Sequence, residues 1–181
     1  EIGGTPCTVD VRKGASVDAM IAQAINEFGH IDIVVNNAGV THLPAPMDTI
    51  SEEDFDRVFA VNCKSIYLIT RALTAHMKGR ETGTVLNVAS TVNTATKSMA
   101  VELAPFGIRV NALNPVAGET PLLASFMGED TPERRAQFLS TIPIGRFSTP
   151  EDMGNAACYL CSDEASMITG VCMEVDGGRC I

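Results

Sequence analysis

Ile31-Asp32-Ile33-Val34-Val35-Asn36-Asn37-Ala38-Gly39 is the stretch on which the fold turns. It opens with a short β-branched run of the kind buried on both faces of a parallel sheet. It closes on two amides, a small residue and a glycine. Glycine lets backbone approach a ligand closely, and asparagine offers both donors and acceptors. Upstream, Val17, Met20, Ile21, Ala24, Ile25 and Phe28 recur at helical spacing and mark one apolar face. Ser16 is the expected N-cap of that helix and Gly29 its expected stop. Asp10, before it, is expected to end an earlier strand.

Downstream the same alternation continues. Ser51-Glu52-Glu53-Asp54 opens a helix with acids in its first turn, expected to run to about Lys78. A strand follows from Thr84 to Ala89, a helix from about Asn93 to Leu103, and a strand over Ile108–Leu113. Thr131-Pro132-Glu133 and Thr149-Pro150-Glu151 each place a capping threonine before a first-turn proline. Val171-Cys172-Met173-Glu174-Val175 makes the last strand. Strands alternating with helices of this length predict an α/β domain, a doubly wound parallel sheet with helices on both faces. In such sheets ligands bind beyond the carboxyl ends of the strands. Asp10, Asn37, Ser90 and Pro115 all fall at or just past such ends. Residues 119–147 break the rhythm and are expected to form a small helical lid over the site.

Composition narrows the function. One domain over residues 1–181 fits the length, and 45% apolar residues can fill its core. The net charge of −9 argues against nucleic acid. No apolar run approaches a membrane span, and nothing at the start reads as a signal peptide. Cys158 and Cys161 form a C-x-x-C, but inside a helical pattern and without a second ligand pair. No metal is expected, and His30, His42 and His76 are too scattered for one. Reduced cysteines point to a cytoplasmic protein.

Asn37-Ala38-Gly39, the helical Val61-Asn62-Cys63-Lys64, Asn87-Val88-Ala89-Ser90 and Asn114-Pro115-Val116-Ala117-Gly118-Glu119-Thr120 occur in an order and spacing that resembles the short-chain dehydrogenase/reductase family. The resemblance extends from Cys7 to Gly178. It implies a Rossmann-like three-layer α/β/α domain binding NAD or NADP and interconverting a secondary alcohol and a ketone. It implies Ser90 and Asn62 as catalytic residues, the serine orienting substrate and the asparagine holding a water in a proton relay. It implies Asp10 and Val11 at the adenine and Asn37, Ala38 and Gly39 beside the adenosine ribose. Pro115, Gly118 and Thr120 would belong to the loop that meets the nicotinamide carboxamide and the phosphates, with Val116 in place of the usual glycine. Subfamily likeness is to 3-oxoacyl-carrier-protein reductases and glucose 1-dehydrogenases. Phe126, Met127 and Phe138 suit either a moderately apolar substrate or packing on the domain. A homotetramer, or a dimer, is the implied assembly.

Two parts of the family pattern are missing. There is no G-x-G-x-x-G and no first βαβ unit, so the sheet is expected to lack its central strand and expose apolar edges. There is no Tyr-x-x-x-Lys either. Val9, Ala60, Thr74 and Asn93 stand four places before Lys13, Lys64, Lys78 and Lys97. The family's pair lowers a phenol pKa from near 10 for proton transfer. A segment on the order of 20 residues should separate Ser90 from Asn93. The expectation is that it belongs to a longer parent chain, with a break at Thr91-Val92. The alternative is a catalytically inactive binding or oligomer subunit. Tyr67, with Arg71 four residues on, imitates the missing spacing but is expected to be a core or interface tyrosine.

Overall fold

The computed structural model describes residues 3–88 and 90–181; the side chain of Ser90 also lies outside the description. Helix α1 spans Gly14–Phe28 and stops at Gly29, whose φ of 81° an L side chain would resist. Its expected cap is corrected: the helix begins two residues before Ser16. The Ser16 hydroxyl instead accepts the Asp10 N–H at 3.0 Å. Strand β1 spans Ile33–Asn36, not Ile31–Val35. Ile31 is drawn out of the ladder because its N–H donates to His76 Nε2 and its carbonyl accepts from Arg80. His76 is thus a half-buried partner of the chain just before β1.

Helix α2 covers Glu52–Phe59, capped by Ser51, whose hydroxyl accepts the Asp54 N–H. It runs without a break into a π-turn, Ala60–Lys64, and then into α3, Ser65–Arg80. Strand β2 is Gly83–Val88 and α4 is Asn93–Leu103. Strand β3 is Ile108–Pro115, followed by short helices α5 (Leu123–Met127) and α6 (Pro132–Leu139). Helix α7, Pro150–Cys161, leads to β4, Cys172–Val175.

The four strands lie parallel in the order β1-β2-β3-β4. Period-2 alternation in β2 separates the two faces. Val85 packs with Met77 of α3 and Ala100 and Leu103 of α4, whereas its neighbour Leu86 packs with Leu160 of α7. Helix α1 lies on the α3 side, where Val17 and Ile21 meet Leu68, Ile69 and Leu73. Arg109 of β3 donates to the carbonyls of Leu160 and Ser162 at the end of α7 and of Ile168 before β4. This clamps the chain between α7 and β4.

Strand β1 is the outer strand, and its Ile33 and Val35 are 48% and 49% exposed. The expected apolar edge is thus present. The expected strand ending at Asp10 is not: residues 3–10 form no strand, because no neighbouring strand lies there to complete a ladder.

Candidate functional site

The carboxyl ends of β1, β2 and β3 lie side by side. Asn36 pairs with Asn87, and Val88 with Leu113. Beyond Asn36 the turn Asn37-Ala38-Gly39 faces solvent. A Cβ built on Gly39 would meet nothing closer than 3.9 Å, at Asn37 O and Asn62 Oδ1. Packing within the protein therefore does not demand glycine there. The open space beside it is what a ligand's close approach would use.

Asn62 stands in the π-turn. Its Oδ1 accepts the Val40 N–H and its Nδ2 donates to the Val40 carbonyl, both at 2.9 Å. A short π segment inside a helix commonly marks a functional position. Here it turns an asparagine toward the chain just past Gly39. Next to Asn62, the Cys63 thiol lies 3.8 Å from the Thr91 hydroxyl. Thr91 adjoins Ser90, so the asparagine and the serine turn are neighbours. Ser90 opens a single 3₁₀ turn, Ser90–Val92. That turn passes directly into α4.

At the end of β3, Pro115 is exposed, and the following loop crosses to Ser148. Gly118 bridges Ser148, and the Glu119 N–H donates to the Ser148 carbonyl at 2.9 Å. A Cβ at Gly118 would fall 2.9 Å from Ser148 Oγ. Lack of room, not an unusual φ, makes this position glycine. Thr120 is exposed and its N–H donates to the Gly118 carbonyl. Beyond it, Met127 and Phe138 pack with Leu123, Ile142 and Phe147, while Phe126 remains half exposed.

Asp10 and Val11 lie on the turn into α1 and end no strand. The Asp10 carboxylate accepts from Arg12 Nε and Nη2, both at 2.9 Å, and from the Arg12 N–H at 3.1 Å. These bonds hold its carboxyl far below the ordinary range, with Arg12's side chain the first cause. Arg12 was not singled out in the sequence, although a basic residue two places from an acid before a helix was the available signal.

The part played by Asn87 also escaped sequence reasoning. Asn87 donates from Nδ2 to Thr96 Oγ1 and accepts from Asn36 Nδ2 at Oδ1, each at 2.9 Å. A polar residue near the end of an apolar strand was the signal. Tyr67, expected in the core or at an interface, is 60% exposed and so is not a core residue. It lines a groove of about 470 Å³ between α3 and α4, with Cys63, Arg71, Thr91 and Met99. Arg71 is turned to Asp18 of α1.

Residues 1–179 match the sequence family described as enoyl-(acyl carrier protein) reductase. The 4-formylbenzenesulfonate dehydrogenase of Comamonas testosteroni is 44% identical, over 94% of this chain and 75% of its own length. The 3-oxoacyl-[acyl-carrier-protein] reductase of Thermotoga maritima is 34% identical, over 97% of this chain and 77% of its own. Among solved structures, a 3-ketoacyl-(acyl-carrier-protein) reductase from Brucella melitensis, complexed with NADH, superposes with a TM-score of 0.89. It is 44% identical, covering 96% of this chain and 78% of that one. The alignment with the Comamonas protein extends over 189 positions, although this chain has 181 residues. That relative therefore carries residues inside the matched span that this chain lacks.

Proposed function

The chain belongs to the short-chain dehydrogenase/reductase family, and from that membership we propose that its strand-end row is the cofactor and substrate site of an NAD(P)-dependent oxidoreductase interconverting a secondary alcohol and a ketone. The observation that carries this reading is the convergence at adjacent parallel strand ends. There the Asn37–Gly39 turn, the Asn62–Val40 clamp and the Ser90 turn come together. Ligands of doubly wound sheets bind at such ends.

The residues fit a dinucleotide. The open face at Gly39 admits a ribose against backbone, and Asn37 beside it is free to face solvent. Pro115, Gly118 and Thr120 lie on the loop that would close over the nicotinamide. Asp10 and Val11 would meet the adenine, with Arg12 fixing the carboxylate's orientation. The cofactor supplies or accepts the hydride.

Around it, Ser90 would orient the substrate oxygen. Asn62 has both amide groups engaged with Val40. Any water it holds is held by a remaining lone pair or by its main-chain carbonyl in the π-turn. The acid–base step calls for a Tyr-x-x-x-Lys pair, which these 181 residues do not contain. Turnover therefore belongs to the full-length parent, and the present residues bind and orient.

Relatives named for aromatic-aldehyde and acyl-thioester substrates, together with half-exposed Phe126 and Leu122, favour a moderately apolar substrate under a lid of α5 and α6. The exposed Tyr67 and Phe59 on the α3–α4 face support a homotetramer or dimer. No helix among the described residues is long and apolar enough to cross a membrane. With the free thiols, this supports a cytoplasmic setting.

Fluorescence titration with NADH and NADPH tests the reading. Saturable binding of at least one, weakened in Asn37→Ala, is expected. No binding of either overturns it.

A further inference from the structure

Asn87 is the next-to-last residue of β2 and is fully excluded from solvent, as is Thr96 of α4. A buried amide is costly unless bonded, and an aliphatic side chain would fill this place in a sheet core. Both ends of the Asn87 amide are used. Its oxygen accepts from Asn36, and its nitrogen donates to Thr96. Asn36 is the last residue of β1 and leads directly into Asn37-Ala38-Gly39. Its own Oδ1 has no partner among the described residues, so its bond to Asn87 is what orients its amide. Thr96 lies in the first turn of α4, the helix that follows the Ser90 turn.

One side chain thus ties the three elements that carry the proposed site. We infer that Asn87 is a positioning residue, holding the Asn37–Gly39 turn and the start of α4 in fixed register with the serine end of β2. This rests on the functional reading above for what the register serves. The coupling itself is a property of the unliganded fold.

Asn87→Leu leaves the Asn36 amide and the Thr96 hydroxyl buried without this partner, so it is expected to lower the melting temperature, and a fall in stability alone does not separate coupling from packing. Thr96→Val removes the acceptor with little change of shape, and Thr96→Ser retains it.

Amide hydrogen exchange of the free protein is the first measurement. In Thr96→Val, the segment Asn37–Val40, which Thr96 does not touch, is expected to exchange about tenfold faster, as loss of one buried hydrogen bond allows. Thr96→Ser should restore it. The second measurement is the NADH dissociation constant, expected to weaken about tenfold in Asn87→Leu on the same free-energy scale. Unchanged exchange at Asn37–Val40 in folded Thr96→Val overturns the inference. Should Asn87→Leu fail to fold, the threonine pair still decides. If the unaltered chain binds no nicotinamide cofactor, the functional reading falls, and the exchange data separately decide the coupling.

Discussion

Asn62 and Val40 exchange two hydrogen bonds of 2.9 Å, the side-chain amide pairing with both backbone groups of one residue, as a neighbouring strand would. The segment after Gly39 is therefore held without belonging to the sheet. Asn62→Ala leaves the N–H and the carbonyl of Val40 without these partners. We expect a loss of about 1–3 kcal/mol in denaturant unfolding, since orphaned part-buried groups carry their desolvation cost. Asn62→Asp, which keeps the acceptor and loses the donor, should fall between. An unchanged midpoint in Asn62→Ala would show that the clamp contributes nothing.

Gly118 is fixed by space. A methyl group there would press on Ser148 Oγ at 2.9 Å and on the Ser148 carbonyl at 3.3 Å. Gly118→Ala should destabilise by about 1 kcal/mol, at the low end for overpacking. Adding Ser148→Ala should recover part of that by removing the nearer atom. Thermal melts of the single and double variants measure this, and equal melting of all three would discount the contact.

Asp10 gives a pH dependence of definite sign. Its carboxyl lies well below the ordinary 3.8 because Arg12 bonds it through side chain and backbone. A depressed folded-state value contributes stability above the unfolded-state value and loses it as pH falls toward the folded one. The contribution should therefore be full at neutral pH and begin to fade below about pH 4. In Arg12→Ala the backbone N–H remains, so the carboxyl should titrate higher than in the unaltered protein while staying below the ordinary value. A carboxyl-carbon NMR titration reads this directly; the same midpoint in both proteins would refute it.

At the start of α7, Thr149 and Asp152 cap each other. Thr149 Oγ1 accepts the Asp152 N–H at 3.3 Å, and Asp152 Oδ2 accepts the Thr149 N–H at 2.8 Å. Thr149→Ala should cost about 1 kcal/mol, a fall of roughly 2–4 °C in Tm for a domain of this size. Thr149→Ser should lose far less, and calorimetry distinguishes the two.

The sheet was readable because its central strands, β2 and β3, are buried on both faces. The apolar runs of β2 and β3 and the one-sided periodicity of α1 left little choice of element or order. Thr131 and Thr149 cap their helices as their sequences indicate. Ser16 misled, because a serine hydroxyl serves equally well inside a first turn by bonding back to the preceding loop. The strand ending at Asp10 failed for another reason: a strand needs a partner, and propensity does not contain one. Motif order pointed to Asn37, Asn62 and Ser90 as neighbours, and adjacent strand ends bring their segments together. The π-turn left no mark in the sequence, since its residues are ordinary helix formers. The Asn36–Asn87–Thr96 connection was hidden because it depends on which face of β2 meets α4.

The π-turn between α2 and α3 also fixes a helical phase. Each residue in an α-helix advances the side chains by about 100°, so the wider turn at Ala60–Lys64 offsets everything after it from everything before. With that offset, Asn62 reaches Val40 while Leu68, Ile69 and Leu73 still meet Val17 and Ile21 of α1. Removing one residue from the turn would bring the two halves into step and force a choice between clamp and core. The helix can tolerate exchanges of side chain along this stretch far better than a change in the count of residues.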